Sequence, residues 1–130
     1  MGWADWKVYS KFITWPDEPG WDCWWVSEDY SIGPRTGSSD RVVIPVTYKR
    51  IGRFCADAQY EAGRKSDTIN YELVRDQGKW KVDGPTPDYP YVGLRAVRKY
   101  LSTTISDERE SSQLRAQARR VLALIEKLPN

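Results

Sequence analysis

The clearest alternation of apolar and polar positions in this chain runs from residue 68 to residue 83. Apolar or aromatic residues occupy every second position of two short runs, which is typical of strands with one buried face. Gln77 and Gly78 fit the tip of a tight hairpin, since glycine at the second loop position tolerates a positive φ. This hairpin would pair Leu73 with Val82, Arg75 with Trp80 and Asp76 with Lys79. A slip of one residue would place Lys81 beside Leu73, so the pattern predicts this register.

Two more strands are predicted upstream, at 21–32 and 41–53. The first carries aromatic residues on both faces, which predicts a strand that is covered on both sides or lines a pocket. The second alternates regularly but contains Pro45, which has no N–H for a ladder and therefore indicates an edge strand or a bulge. Residues 54–65 lose the alternation, and we expect a loop or an irregular crossing strand there.

Helical spacing appears at both ends of the chain. An aromatic stripe predicts a short helix over 3–13, and a second helix is predicted over 92–101. The strongest pattern spans 107–128, with Ser106 as its N-cap. Its apolar stripe comprises Leu114, Ala118, Val121, Leu122, Ile125 and Leu128. Helices combined with hairpins predict an α+β fold.

A length of 130 residues favours one domain, 1–130, with its core in 15–101 and a helix at 107–128. Lys and Arg number 20 against 18 Asp and Glu, so a net charge of +2 gives no whole-chain reason to expect nucleic acid or a membrane as partner. Residues 1–30 hold 2 basic and 6 acidic side chains, whereas residues 31–66 hold 7 basic and 3 acidic ones. We expect these opposite charges to pair within the fold.

Apolar runs in the chain all fall short of the roughly 20 residues of a membrane span, so the sequence predicts a soluble protein. The expected compartment is the bacterial periplasm or exterior if an upstream signal was removed, and otherwise the cytoplasm.

Two cysteines are too few for a disulfide scaffold or a structural zinc site. If the hairpin of strands 21–32 and 41–53 turns near Thr36 and Gly37, Cys23 falls opposite Arg50, and Cys55 lies five residues further along. That is roughly 15 Å in an extended strand, whereas a disulfide tolerates about 7 Å between Cα atoms. We therefore expect two buried thiols, with a bridge as the alternative if a bulge or bend brings them together.

Histidine is missing from the sequence, which removes Ser-His-Asp and Cys-His nucleophile systems and the commonest transition-metal ligand. Neither a metal nor a cofactor is predicted. Carboxylate chemistry remains, because an Asp or Glu in an apolar pocket can act as general acid or base. Asp22 and Glu72 are the candidates, and the alternative is that both are exposed strand carboxylates paired with Lys or Arg.

Aromatic residues suggest a binding role, since Trp and Tyr on a concave sheet offer flat apolar faces with polar tips to sugar rings, small apolar molecules or a partner protein. The candidate ligand-binding residues are Trp21, Trp24, Trp25, Tyr71 and Trp80. Basic residues near Tyr48 and Tyr60 would also suit single-stranded nucleic acid. The near-neutral chain argues against that reading.

The runs W-P-D-E-P-G-W-D-C-W-W-V-S-E-D-Y-S-I-G, R-V-V-I-P-V-T-Y-K-R-I-G and I-N-Y-E-L-V-R-D-Q-G-K-W-K-V-D, followed by a helix at 94–101, resemble small uncharacterised bacterial exported proteins of the nuclear transport factor two-like superfamily. The resemblance covers about residues 15–101. It implies a curved antiparallel sheet of about four strands, wrapped around helices into a cone with an internal pocket. The helix at 107–128 would be an addition, and the long N-terminal helices are missing or reduced to 3–13.

Three functional hypotheses follow. The first is a noncatalytic module that binds a small ligand or a protein partner through an aromatic-lined pocket or sheet face. The second is a small cofactor-free lyase, isomerase or hydrolase that uses pocket carboxylates. The third is a structural domain that forms a homodimer through the last helix. Members of the superfamily include enzymes as well as binding modules, so the fold does not decide among the three.

Overall fold

A computed structural model describes residues 10–14, 22–86 and 88–127. Within these ranges the chain forms a strongly curled mixed sheet and two helices, so the α+β prediction is confirmed. The strands are β1 (Cys23–Ile32), β2 (Thr36–Gly37), β3 (Arg41–Cys55), β4 (Gln59–Asp76), β5 (Lys79–Gly84) and β6 (Tyr91–Gly93). The helices are α1 (Leu94–Ser106) and α2 (Ser112–Glu126), and short 3₁₀ turns occur at Ser10–Phe12 and Ala56–Ala58.

The sheet order is β5-β4-β3-β1-β6, with β2 paired to β3. Its character differs from the expected antiparallel sheet of about four strands, because β6 runs parallel to β1 and the described part of the chain has six strands. A parallel neighbour requires a long crossover. The strands β2 to β5 intervene in sequence between β1 and β6, and β6 places Tyr91 beside Trp25.

The hairpin of β4 and β5 has the predicted register, with Leu73 opposite Val82 and Arg75 opposite Trp80. Gln77 and Gly78 form the turn with φ values of 52° and 78°. Glycine adopts the second value without steric cost. Along the outer side of β5, Ile13 pairs with Val82, so the described residues 10–14 cover part of that edge.

The expected turn of the first hairpin is wrong. Thr36 and Gly37 pair with β3, and the chain reverses at Ser38–Arg41, where the Ser38 N–H donates to the Arg41 carbonyl at 2.9 Å. This change shifts the register of β1 against β3 by five residues. The turn-forming residues of 33–40 predict a reversal but do not specify where it falls.

As a result of this register, Cys23 lies directly opposite Cys55, and the two form a disulfide. The expectation of two buried thiols is therefore wrong. The bond joins β1 to β3 at the end of the sheet where the helices pack.

Pro45 lies within β3, which is a central strand rather than an edge. Its carbonyl accepts from the Gly33 N–H at 2.8 Å, so the side of Pro45 that lacks an N–H faces the break between β1 and β2. A proline is tolerated here because that break contains no strand carbonyl to satisfy.

Residues 54–65 form regular structure rather than the expected loop or irregular crossing strand. After the turn at 56–58, β4 continues without a gap, and a bulge sets Gly63 and Arg64 against Ile51 of β3. A second irregularity, in the pairing of β1 with β3, leaves Ile51 without a partner residue in β1. Bulges bend a strand and increase its twist, which accounts for the curl at this point.

Both helices pack on one face of the curled end of the sheet. The fully buried side chains are Val26, Ile51, Phe54, Ala58, Val97, Leu101, Ala118, Val121 and Ile125. The helix α1 runs to Ser106, five residues beyond the expected end at Leu101, and α2 begins at Ser112. The N-cap of α2 is Ser111, whose hydroxyl accepts from the Leu114 N–H, and not Ser106.

The apolar stripe of α2 packs inside this chain. Ala118, Val121 and Ile125 are buried in the core, and Leu114 and Leu122 pack against it. The predicted helix at 3–13 and Leu128 lie largely or wholly outside the described residues. Because the stripe belongs to the intramolecular core, the hypothesis of a homodimer through this helix needs a different surface.

Candidate ligand-binding face

The sheet has two unlike faces, which follow from its registers. Trp24 and Val26 point toward the helices, and Trp24 packs against the core there. Trp25 is the next residue along β1 and points the other way, opposite Arg53. Three predicted binding residues, Trp25, Tyr71 and Trp80, share this second face by register, whereas Trp21 lies outside the described residues. We call the side of the sheet away from the helices the aromatic face.

Tyrosines occupy the centre of the aromatic face. The ring of Tyr48 stacks on that of Tyr91, with centroids 3.8 Å apart and planes 6° apart, and its hydroxyl lies 2.9 Å from the Tyr71 hydroxyl. Tyr30 lies beside Tyr48 across the β1–β3 ladder, with ring centroids 6.4 Å apart. The result is a fixed aromatic surface with polar atoms at its margins.

Burial disfavours the charged form of these phenols. It is the largest cause that raises the pKa of Tyr48, and the hydrogen bond with Tyr71 raises that pKa further. Burial also raises the pKa of Tyr91, and the hydrogen bond to Asp67 adds to the effect. Both hydroxyls therefore stay protonated at neutral pH and act as hydrogen-bonding groups.

At one end of the aromatic face is a recess of about 340 Å³ beside Trp25. It is lined by Trp25, Arg50, Gly52, Arg53, Glu61, Ala62, Gly63, Arg64 and Lys65, and we call it the Trp25 recess. The Arg50 guanidinium lies over the Trp25 ring at 4.0 Å, and the Tyr89 ring meets Trp25 edge-on with centroids 5.3 Å apart. Cation–π contact and aromatic packing thus hold the Trp25 ring in place.

Every cation that lines the Trp25 recess has a carboxylate partner. Arg50 contacts Asp67 at 2.8 Å, and their side chains are only 17% and 16% exposed. The Asp67 carboxylate also contacts Lys65 at 3.5 Å and accepts a hydrogen bond from the Tyr91 hydroxyl. Arg53 pairs with Glu61 at 2.8 Å, and Arg64 pairs with Glu28 at 3.0 Å. The charge of this recess is therefore largely compensated from within.

At the other end of the aromatic face is a recess of about 370 Å³ beside Trp80. It is lined by Arg35, Thr36, Gly37, Ser38, Ser39, Val42, Arg75 and Trp80, and we call it the Trp80 recess. The Arg75 guanidinium lies 5.1 Å from the centre of the Trp80 ring. In the described part of the chain, neither Arg35 nor Arg75 forms an ion pair. The two recesses thus combine tryptophan with arginine but differ in charge balance.

The two candidate catalytic carboxylates lie outside both recesses. Asp22 is exposed, and its backbone carbonyl accepts from the Ala56 N–H. Glu72 is exposed as well and lies 3.7 Å from Arg41. For Glu72 this arrangement matches the alternative given above, an exposed strand carboxylate paired with an arginine.

Asp67, Arg50 and Tyr91 were not predicted as a group. The sequence does carry a signal for Asp67, which shares the alternation of Ile69, Tyr71 and Leu73 and so belongs on their face. What was missing was the long β3–β4 register that sets Asp67 opposite Tyr48, within reach of Arg50.

No family model matches the chain, and no curated protein and no solved structure matches it. In the ranges 10–14, 22–86 and 88–127, no three Cys, Asp or Glu side chains cluster as metal ligands would. The same ranges contain no helix that is long and apolar enough to cross a membrane.

Proposed function

We propose that this protein is a noncatalytic binding module that takes a small ligand on its aromatic face. The observation that carries the proposal is the shared face of Trp25, Tyr71 and Trp80, with a recess at each end. Recesses of about 340 and 370 Å³ lie within the roughly 300–1,000 Å³ of small-molecule sites.

Rigidity supports the same proposal. The Trp25 ring is held between a guanidinium and a tyrosine edge, and the Tyr48 and Tyr91 rings stack on each other. Fixed aromatic rings bind flat ligands with little loss of side-chain entropy, which favours binding.

The surroundings of Asp67 favour binding over acid–base catalysis. Asp67 lies next to the Trp25 recess. Its side chain has the smallest exposed fraction of any carboxylate in the ion pairs of the described residues. Two cations and a tyrosine hydroxyl already contact it. We assign it the role of a counter-ion that positions Arg50 over Trp25.

We further propose that the fold is a variant of the nuclear transport factor two-like cone. The strong curl of the sheet and the packing of helices against one of its faces support this assignment. The variant would differ from the family in its parallel strand β6 and in drawing both described helices from the C-terminal third of the chain.

A ligand-observed NMR experiment tests the proposed function. Indole and cellobiose serve as neutral probes of the two ligand classes that aromatic surfaces accept. We expect saturable binding of at least one probe, which Trp25→Leu or Trp80→Leu weakens. Leu124→Ala is the control, since Leu124 is exposed on α2. Equal binding by both tryptophan variants and the wild type would overturn the proposal, as would the absence of saturable binding both for these two probes and for the aromatic anions tested below.

A further inference from the structure

We propose that the Trp80 recess is a site for a small oxyanion carried on a flat apolar body, such as an aromatic carboxylate. This inference rests on the proposed function and adds to it the ligand class and the location. It follows from the charge, the walls and the polar rim of the recess.

The positive charge of the Trp80 recess is the first argument. Arg35 and Arg75 line one recess that has no acidic lining residue. Asp76 is the acidic residue nearest to Arg75 in sequence. In the described chain its carboxylate pairs with Lys81 at 3.1 Å. Asp40 contributes its backbone carbonyl, which accepts the Arg75 N–H at 3.0 Å. Two guanidinium groups that share a recess repel each other, and an oxyanion between them would compensate both charges.

The contrast with the Trp25 recess strengthens this point. There, each lining cation has a carboxylate partner within 3.5 Å. Internal counter-ions compete with an incoming anion for the same guanidinium groups. An anion would therefore bind preferentially where the arginines have no such partner.

The walls of the Trp80 recess indicate that the part of the ligand that carries the anion is flat and apolar. Val42 is only 8% exposed, and the half-buried Trp80 ring stands beside it. The Arg75 guanidinium over Trp80 adds a second flat surface. Flat surfaces of this kind suit an aromatic ring, whose attached anion would reach the two guanidinium groups.

The rim is formed by β2 and by the loop that joins it to β3. Thr36, Ser38 and Ser39 bring hydroxyl groups to the recess. Gly37 has a φ of 128°, and a Cβ atom there would lie 2.4 Å from the Arg41 carbonyl oxygen. Only glycine lets the loop approach β3 this closely, which brings Arg35 and the hydroxyls to the side of Trp80.

Isothermal titration of the whole protein with four probes tests the inference. Benzoate and phenyl phosphate carry an anion on an aromatic ring, benzamide is the neutral counterpart of benzoate, and inorganic phosphate lacks the ring. We expect benzoate or phenyl phosphate to bind at least about tenfold more tightly than benzamide and inorganic phosphate. The better of the two binders identifies carboxylate or phosphate as the preferred anion.

Variants locate the site. Arg35→Gln and Arg75→Gln should each weaken binding of the preferred probe roughly tenfold. Arg119→Gln is the matched control, because Arg119 is exposed on α2 and pairs with no carboxylate in the described chain. Circular dichroism spectra should show all three variants folded. Any variant that is not folded is replaced by Arg→Lys at the same position, which keeps the charge and loses bidentate binding.

Three outcomes would overturn the inference. They are the absence of saturable binding of both aromatic anions, an equal loss of affinity in Arg119→Gln, and unchanged affinity in both Arg35→Gln and Arg75→Gln. If indole or cellobiose still binds in a Trp25-dependent manner, only the oxyanion site fails. The broader proposal of a binding face fails when these neutral probes do not bind either.

Discussion

The two ends of the aromatic face use the same side-chain types in opposite ways. At the Trp25 recess, Arg50 lies over the indole ring and is paired with Asp67 at 2.8 Å. At the Trp80 recess, Arg75 lies near the indole ring and has no carboxylate partner in the described chain. Removing one partner of an ion pair of low exposure destabilises the fold, whereas unpaired charge at the surface is available to a ligand. Charge balance, more than residue type, therefore distinguishes the two recesses.

The largest effect should come from the disulfide, which joins the strands at the Trp25 end of the face. Replacing Cys23 and Cys55 together by Ala should lower the free energy of unfolding by about 3 to 4 kcal/mol, because the bond closes a loop with a sequence separation of 32. Urea unfolding measures the change. A reducing agent should shift the wild type by a similar amount. A loss below about 1 kcal/mol would show that the bond does not constrain the unfolded chain as assumed.

Asp67→Asn tests the contribution of the ion pair at the Trp25 recess. It leaves Arg50 nearly buried without its counter-ion, and we expect a loss of about 2 kcal/mol, below the roughly 3 to 5 kcal/mol of fully buried pairs. Arg75→Gln is the matched change at the other recess and should alter stability by less than about 0.5 kcal/mol, since within the described residues the Arg75 guanidinium has only its cation–π contact to lose. Equal losses in the two variants would contradict the difference between the recesses.

Gly37→Ala should distort the Trp80 recess while leaving its charged residues unchanged. A φ of 128° is strained for alanine, and the added Cβ atom would clash with the Arg41 carbonyl. We expect a loss of about 1 to 2 kcal/mol in urea unfolding, together with weaker benzoate binding. Gly63→Ala is the control, because a Cβ atom at Gly63 meets no atom within 4 Å. Equal stability of the two alanine variants would argue against a tight loop.

The smallest effect concerns pH. The pKa values of Tyr48 and Tyr91 are raised by burial above their ordinary value of 10.0. Above about pH 10 the unfolded chain releases these protons while the folded chain retains them, so stability is complete below that pH and falls as the pH rises. Tyr91→Phe should make the fall shallower in urea unfolding between about pH 9 and 11. Leu124→Ala, which replaces an exposed residue that does not titrate, should leave the slope unchanged. The reverse order of slopes would contradict the assignment.

Local patterns predicted much of the fold, and long-range registers explain what they missed. The β4–β5 hairpin could be predicted because its alternation and its Gln77–Gly78 turn indicate one register. The disulfide could not, because the turn residues of 33–40 permit several reversal points and only one sets Cys23 opposite Cys55.

The same distinction between local pattern and long-range register applies to the candidate site. Trp25, Tyr71 and Trp80 were identified from their types and alternation, and the registers place them on one face. Trp24, the neighbour of Trp25, faces the helices instead. The pairing of Arg50 with Asp67 was missed, since it depends on the long-range β3–β4 register that sets Asp67 opposite Tyr48.

Thermal unfolding of three proteins, each with and without benzoate, tests whether the Trp25 recess stabilises the fold while the Trp80 recess binds the ligand. We expect Asp67→Asn to melt at a lower temperature than the wild type but to be stabilised by benzoate at least as much, because the Trp80 recess is intact and Arg50 has lost its competing counter-ion. The double variant Arg35→Gln, Arg75→Gln should melt close to the wild type and gain nothing from benzoate. The opposite result, a double variant that melts early yet gains stability from benzoate, would contradict the separation of a stabilising recess from a binding recess.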